Sequence, residues 1–445
     1  MNYFSARFIS QLNMDRAGFI LFPQKKYIMK KILLTIFFIS SALLAQAKLL
    51  IYMDLKQTDH LKAYGITFNA LKGGATADWL LNYRGGSFLL DYSEQLAAIC
   101  RIKGVAFLPL SNQEAVEIYS LVQSEDQNME VVRLEKAPKI AVYIPPGFQP
   151  WDDAVTLALN YAEVPYDKIW VDEILRGDLK NYDWLHTHHE DFTGQYGKFY
   201  ASFSGAQWYI EQQMLYENEA KKLGFKKVSE MEKAVVQTIK NFVGNGGFMF
   251  AMCSATDSFD IALAAMNVDI VDRIYDGDPP DPNAQEKLDF SNTFAFQNFK
   301  LEMNPLIYEY SNIDIQPIEI GDQRNDYFTL FDFSAKYDPV PTMLTQDHVN
   351  VIHGFMGQTT MFNKKFIKNS VYILGQRVGT DQVKYIHGNY GRGTFTFYGG
   401  HDPEDYQHAV GDPPTDLSLF KNSPGYRLIL NNILFPAAKK KEQKT

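Results

Sequence analysis

The chain of 445 residues holds only two cysteines, Cys100 and Cys253. Two cysteines cannot form the disulfide framework of a small secreted domain, and a chain this long does not need one. The one bridge they allow, Cys100 to Cys253, would remove any thiol nucleophile. Basic clusters are equally scarce. The formal net charge is -9, and the lysine run near the C-terminus stands alone, which argues against nucleic acid as a partner. Long apolar runs are missing as well. The stretch at 32–39 is too short to serve as a membrane anchor. There is no internal repeat, so a solenoid is excluded, and no motif calls for a cofactor.

What is present begins with a leader. Residues 29–47 read Met-Lys-Lys, a short apolar middle, then an exit at Ala45-Gln46-Ala47. This is the pattern of a secretory signal peptide. Cleavage after Ala47 leaves Lys48 as the mature start. Residues 1–28 precede that leader awkwardly, which makes Met29 the expected initiator. No cysteine follows the exit, so lipid attachment is not indicated. The expectation is a periplasmic or secreted protein.

The mature chain divides by pattern. Residues 48–136 read as a small α+β unit, with helical spacing at 94–100 and 113–122. From 137 to 436 strands and helices alternate, which implies a parallel sheet covered on both faces. Strands are expected at 139–144, 166–171, 182–186 and Phe248–Met252, and again at 371–374, 382–387 and Gly393–Tyr398. Residues 267–384 break the rhythm as an insertion rich in proline and aromatics, and 437–445 form a charged, disordered tail. The tryptophans and the aromatic run at 192–203 are expected to fill core.

Chemistry gathers at three strand ends. Residues 246–256 read Gly-Gly-Phe-Met-Phe-Ala-Met-Cys-Ser-Ala-Thr, an apolar strand that turns sharply into a helix and displays Cys253 at the bend. Helix-start amides are expected to favour its thiolate. Gly399-Gly400-His401-Asp402-Pro403-Glu404 follows another strand. It offers His401 as a base and two carboxylates, Asp402 and Glu404, to orient it. The third segment is His186-Thr187-His188-His189-Glu190-Asp191. His186 and His188 stand two apart, so a strand would put them on one side. That spacing suits zinc but lacks the helical His-Glu-x-x-His pattern of metalloproteases, and no metal ligand set is assigned.

These pieces together resemble the class I glutamine amidotransferase-like fold over residues 139–260 and 385–436. The matching parts are the opening strand at 139–144, the elbow at 246–256 and the closing strand and turn at 391–404. The resemblance implies an α/β, flavodoxin-like sandwich and a triad of Cys253, His401 and Glu404. Two features depart from the family pattern. Ala251 and Ala255 stand where it usually has glycine, and two residues separate His401 from Glu404 instead of one. The mature chain also resembles exported Bacteroidota proteins labelled asparagine synthetase B. Ser254-Ala-Thr-Asp-Ser258 lacks the glycines that let amides wrap a phosphate, and the mature chain would not begin with cysteine, so synthetase chemistry is not expected.

The expected function is cysteine-dependent hydrolysis of an amide or acyl bond in a small molecule, peptide or glycan. Cys253 attacks and His401 takes its proton. The substrate is held by His188, His189, Glu190, Gly194 and Ser254, with oxyanion donors near Ser254 and in the loop 188–194. The alternative is a binding module for a glycan or cell-wall fragment on the same pocket, and a third reading is a metal hydrolase on His186 and His188. Geometry discriminates among them: a sulfur-to-imidazole separation beyond roughly 8 Å would exclude the pair.

Overall fold

The computed structural model describes residues 46–147, 149–315, 326–406 and 409–438. The leader, apart from Gln46 and Ala47, and the C-terminal lysine run lie outside the described residues. No helix among the described residues is long and apolar enough to cross a membrane.

The architecture of the described residues is mixed α/β with two sheets. The first contains β1 (Gln46–Ile51), β2 (Ala77–Leu81), β3 (Ser87–Asp91), β4 (Leu108–Ser111) and β5 (Glu130–Leu134), in the order β4-β1-β3-β2-β5 with every pairing antiparallel. The helix His60–Lys72 packs on it, with Asp59 as its cap accepting from the Lys62 amide. The unit does not stand alone. Leu49, Trp79 and Phe88 share one continuous core with Trp184, Phe250, Tyr385 and Leu428 of the larger sheet. The fully buried Arg427 fastens the two, donating to the Met53 carbonyl (2.9 Å), the Tyr64 hydroxyl (3.0 Å) and the Gly85 carbonyl.

Among the described residues the second sheet has 10 strands. Its parallel half is β6 (Ile140–Tyr143), β7 (Asp167–Ile169), β8 (Trp184–Thr187), β9 (Phe248–Met252) and β15 (Gly393–Tyr398), in the order β15-β9-β8-β6-β7. Buried side chains alternate across it as the two-residue period of a strand requires. Ile140, Val142, Trp184 and Phe250 face the N-terminal unit and the helix Pro424–Leu434. Ala141, Leu185, Met249 and Ala251 face the helices Val171–Arg176 and Val228–Gly244.

The insertion is built into this sheet and completes it. β10 (Tyr327–Leu330), β11 (Val351–His353), β12 (Phe362–Asn363) and β13 (Tyr372–Gln376) join β14 (Gln382–Tyr390) by antiparallel ladders, and β14 pairs with β15. The sheet is therefore parallel in one half and antiparallel in the other. Strand propensity alone shows that these segments are extended, but not which ladder they join.

Asp260, in the helix Asp257–Ala264, ties the insertion down. Its buried carboxylate accepts from the amides of Phe294 (2.7 Å), Ala295 (2.7 Å) and Phe296 (2.8 Å). Burial still pushes its pKa up to about 6 against the pull of those donors. Asp260→Ala strands three buried amides, each costing about 1–3 kcal/mol. The expected loss is about 4 kcal/mol of unfolding free energy in urea denaturation; a loss below about 1 kcal/mol would contradict this role.

Candidate active site

The site forms where β8, β9 and β15 end side by side, at the carboxyl edge of the parallel half where open α/β sheets place their ligands. Met252 is still extended (φ -127), and the next residue, Cys253, turns to φ 51 before a short 3-10 turn and the helix Asp257–Ala264. A left-handed backbone on a non-glycine residue stores about 1–2 kcal/mol, which the surroundings must over-determine. Here they do. The Cys253 amide donates to the Gly400 carbonyl (3.2 Å), Ala255 to the His188 carbonyl (3.1 Å), and Thr256 back to the Cys253 carbonyl (3.2 Å).

Four side chains converge at this edge. One donor atom from each of His188, His189, Cys253 and His401 lies within 4.8 Å of the others, so the sulfur and the His401 ring approach well inside the 8 Å limit. The three rings crowd together, with centroids 4.0 Å apart for His188 and His189, 4.8 Å for His188 and His401, and 4.6 Å for His189 and His401. Cys253, His188 and His401 are buried, while His189 is half-buried. Both cysteines are free, and Cys100 is on the buried face of the helix Glu94–Lys103, so no bridge joins it to Cys253.

The acid on His401 differs from the expected one. Asp152 Oδ1 lies 2.9 Å from His401 Nε2. Asp402 turns its Oδ1 back to the Glu404 amide (2.8 Å), and Glu404 reaches toward the Tyr406 hydroxyl (3.4 Å). Asp402 still matters electrostatically. Burial, with the Asp402 charge next in size, pushes Asp152 up to about 7. Nothing in the sequence pairs positions 249 apart. The available signal was the loop after β6, since that strand lies beside β8 in the same parallel run.

The oxyanion donors also shift. The amides of Gln358, Ser254 and Thr359 face the sulfur, Gln358 at 3.4 Å. The loop 188–194 turns its amides inward: His188 donates to Glu190 Oε2 (2.5 Å), Phe192 to Ser258 (3.4 Å) and Thr193 to Asp191 (2.8 Å). Gly194 is a packing residue, because at φ +82 a Cβ there would sit 2.8 Å from the Ser229 backbone. Burial pushes the Cys253 thiol up to about 11 despite the facing amides. The resting sulfur is therefore a thiol, against the thiolate expected from helix-start amides alone.

Gln358 belongs to the insertion, which supplies half of the pocket. A cavity of about 330 Å³ opens above the sulfur, lined by Cys253, Ser254, His189, His401, Glu309 and Gln358 together with aromatic walls. Trp151 stacks on Phe199 (centroids 5.5 Å, 21°), and Tyr308 lies against Phe199 at 5.3 Å. These aromatics line the cavity in addition to filling core. Burial lifts the Glu309 carboxyl, which lines the cavity and shares a hydrogen bond with the buried Asp314. Glu190 lines a second cavity of about 210 Å³ beside it, shared with His189, Trp151 and Asp153. His186 faces the same side as His188: their rings lie 3.3 and 3.5 Å from the two oxygens of Asp153.

No family model matches the chain, and no curated protein does. Among solved structures it is similar to the cytoplasmic protein STM3548 from Salmonella typhimurium, at 10% identity and TM-score 0.33, over 68% of this chain and 100% of that one. The cytoplasmic protein STM1381 from Salmonella typhimurium LT2 gives the same figures, 10%, 0.33, 68% and 100%. Gan42B, a GH42 β-galactosidase, is similar at 10% identity and TM-score 0.26, over 60% of this chain and 28% of its own length.

Proposed function

We propose that this chain is an exported protein of the class I glutamine amidotransferase-like type that hydrolyses an amide or related acyl bond through Cys253. The observation that carries the reading is the strained cysteine at a parallel strand end, within 4.8 Å of a histidine that a carboxyl group orients. The thiol, neutral at rest, needs a base at the moment of attack. His401 takes the sulfur's proton as the S–C bond forms. The amides of Ser254 and Gln358 receive the developing oxyanion, and Asp152 steadies the imidazolium. His401 then returns the proton to the leaving amine as the C–N bond breaks. Water, deprotonated by the same ring, cleaves the thioester and restores the thiol. Trp151, Phe199 and Tyr308 favour a substrate with a flat or apolar face. ATP-dependent synthesis has no support at this site.

The aromatic wall also favours a second reading, in which the pocket holds a glycan or cell-wall fragment without turning it over. An acyl electrophile added to the native protein separates the two. The expected result is stoichiometric labelling of Cys253, with Cys100 unmodified, and amine release from a panel of amides and peptides. A sulfur that stays unlabelled, with no amine released from any amide, would sink the hydrolase and leave the binding module.

A further inference from the structure

A thiol–imidazole pair needs one ring at the sulfur, and this site has three. His188 and His189 follow β8, Cys253 follows β9 and His401 follows β15, so the four donors ride on three neighbouring strand ends. We propose that Cys253, His188, His189 and His401 form a four-ligand site for a thiophilic divalent cation of the zinc class.

Three arguments support this. The first is spacing. Zinc bound tetrahedrally, at about 2.3 Å to sulfur and about 2.0–2.1 Å to nitrogen, holds its ligands roughly 3.3–3.7 Å apart. Donors already within 4.8 Å of one another need only a small contraction to close on an ion. The second is donor chemistry. One thiolate with three neutral imidazoles is a soft to borderline set that suits zinc and disfavours magnesium or calcium. The third is the outer layer, since histidines that bind metals hand their other nitrogen to an oxygen. His189 Nε2 lies 2.6 Å from the Asp152 carbonyl, His401 Nε2 lies 2.9 Å from Asp152 Oδ1, and His188 Nδ1 lies 3.5 Å from Asp153 Oδ1. Asp152 thus braces two ligands through two of its atoms.

Two other groupings were weaker. Asp153, His186 and His188 also cluster, but they share His188 and lack the sulfur. Asp269, Asp276 and Asp278 already converge on the Lys227 ammonium, at 2.6, 3.1 and 2.7 Å.

The cation site does not rest on the hydrolase reading, because binding is measured without turnover. The two states exclude each other in one molecule. A metal-bound sulfur cannot attack and a coordinated ring cannot take a proton, so a hydrolase loaded with zinc is silent.

The test uses the full chain, reduced and stripped with chelator, titrated with Co(II) and then Zn(II). One Co(II) per chain is expected, with intense visible bands of four-coordinate cobalt and a near-ultraviolet sulfur-to-cobalt charge-transfer band, both erased by stoichiometric Zn(II). Cys253→Ser should remove the charge-transfer band. His189→Ala should weaken binding at least tenfold, and Asp152→Asn about 10–100-fold, as loss of an outer-layer partner does. His353→Ala, outside the cluster, should change nothing. Substoichiometric cobalt, a wild-type spectrum without the sulfur band, or affinity unchanged in His189→Ala would each overturn the site. The wild-type spectrum decides even if a variant fails to fold.

Discussion

Cys253→Ala should lower turnover of the amide substrate by about 10⁴-fold or more, while the melting temperature moves by only a few degrees. The loss is large because the nucleophile has no substitute: the neighbouring Ser254 offers only a hydroxyl, a far weaker nucleophile than sulfur. The stability change is small because the substitution removes one sulfur atom at a cavity edge and leaves the φ 51 backbone in place. Those two measurements together separate catalysis from packing. A cysteine that merely filled space would show the reverse pattern, lost stability with activity intact. Cys253→Ser sharpens the comparison. It keeps an acceptor of similar size for the Gln358 amide, which now donates to the sulfur at 3.4 Å, but its hydroxyl is a far poorer nucleophile without a tuned base. Activity close to that of the unmodified protein in either variant would remove Cys253 from the mechanism.

The elements that carry Cys253 and His401 were legible because their cues are local. An apolar run framed by Gly246 and Gly247 reads as a buried strand, and Phe248–Met252 is one. Gly393–Tyr398 and the Gly-Gly-His turn were readable for the same reason. The second half of the site was not legible, because it depends on register and distance. Gln358 sits on irregular backbone between β11 and β12. It reaches the sulfur only because the Met356 and Thr359 carbonyls accept from the amides of His401 and Gly400, both at 2.7 Å. Gly194 was misread because a glycine beside polar residues looks like a ligand loop. Its actual constraint, the approach of the Ser229 backbone, lies in another element. The N-terminal unit was set apart by pattern, yet Arg427 and the shared core join it to the helix Pro424–Leu434. Asp152 and Asp153 are adjacent in the chain, and no local cue tells their roles apart. In the fold, Asp153 takes the cap by accepting from the Thr156 amide (2.8 Å), and Asp152 is left to face His401.

Asp152→Asn should cut kcat/KM by about 10³–10⁴-fold, because an amide can hold the His401 ring but cannot stabilise its charged form. The pH dependence makes this prediction specific. In the unmodified protein, burial and then the Asp402 charge push the Asp152 carboxyl up to about 7. The orienting carboxylate therefore appears as pH rises through about 7, and kcat/KM should climb along a limb centred there. In Asp152→Asn that limb should vanish. Stability should move the opposite way. A carboxyl whose pKa is raised on folding contributes stability that is fully present below its unfolded value, near 4, and is lost as pH rises through the folded value, near 7. Asparagine stays neutral throughout, so at pH 8 the variant should be more stable than the unmodified protein, by on the order of 1–3 kcal/mol in urea denaturation. At pH 4, where the native carboxyl is already protonated, the difference should nearly close. An inactive variant that gains stability at pH 8 identifies Asp152 as a positioning residue held at a cost to the fold. One that loses both activity and stability at pH 8 assigns it to structure instead.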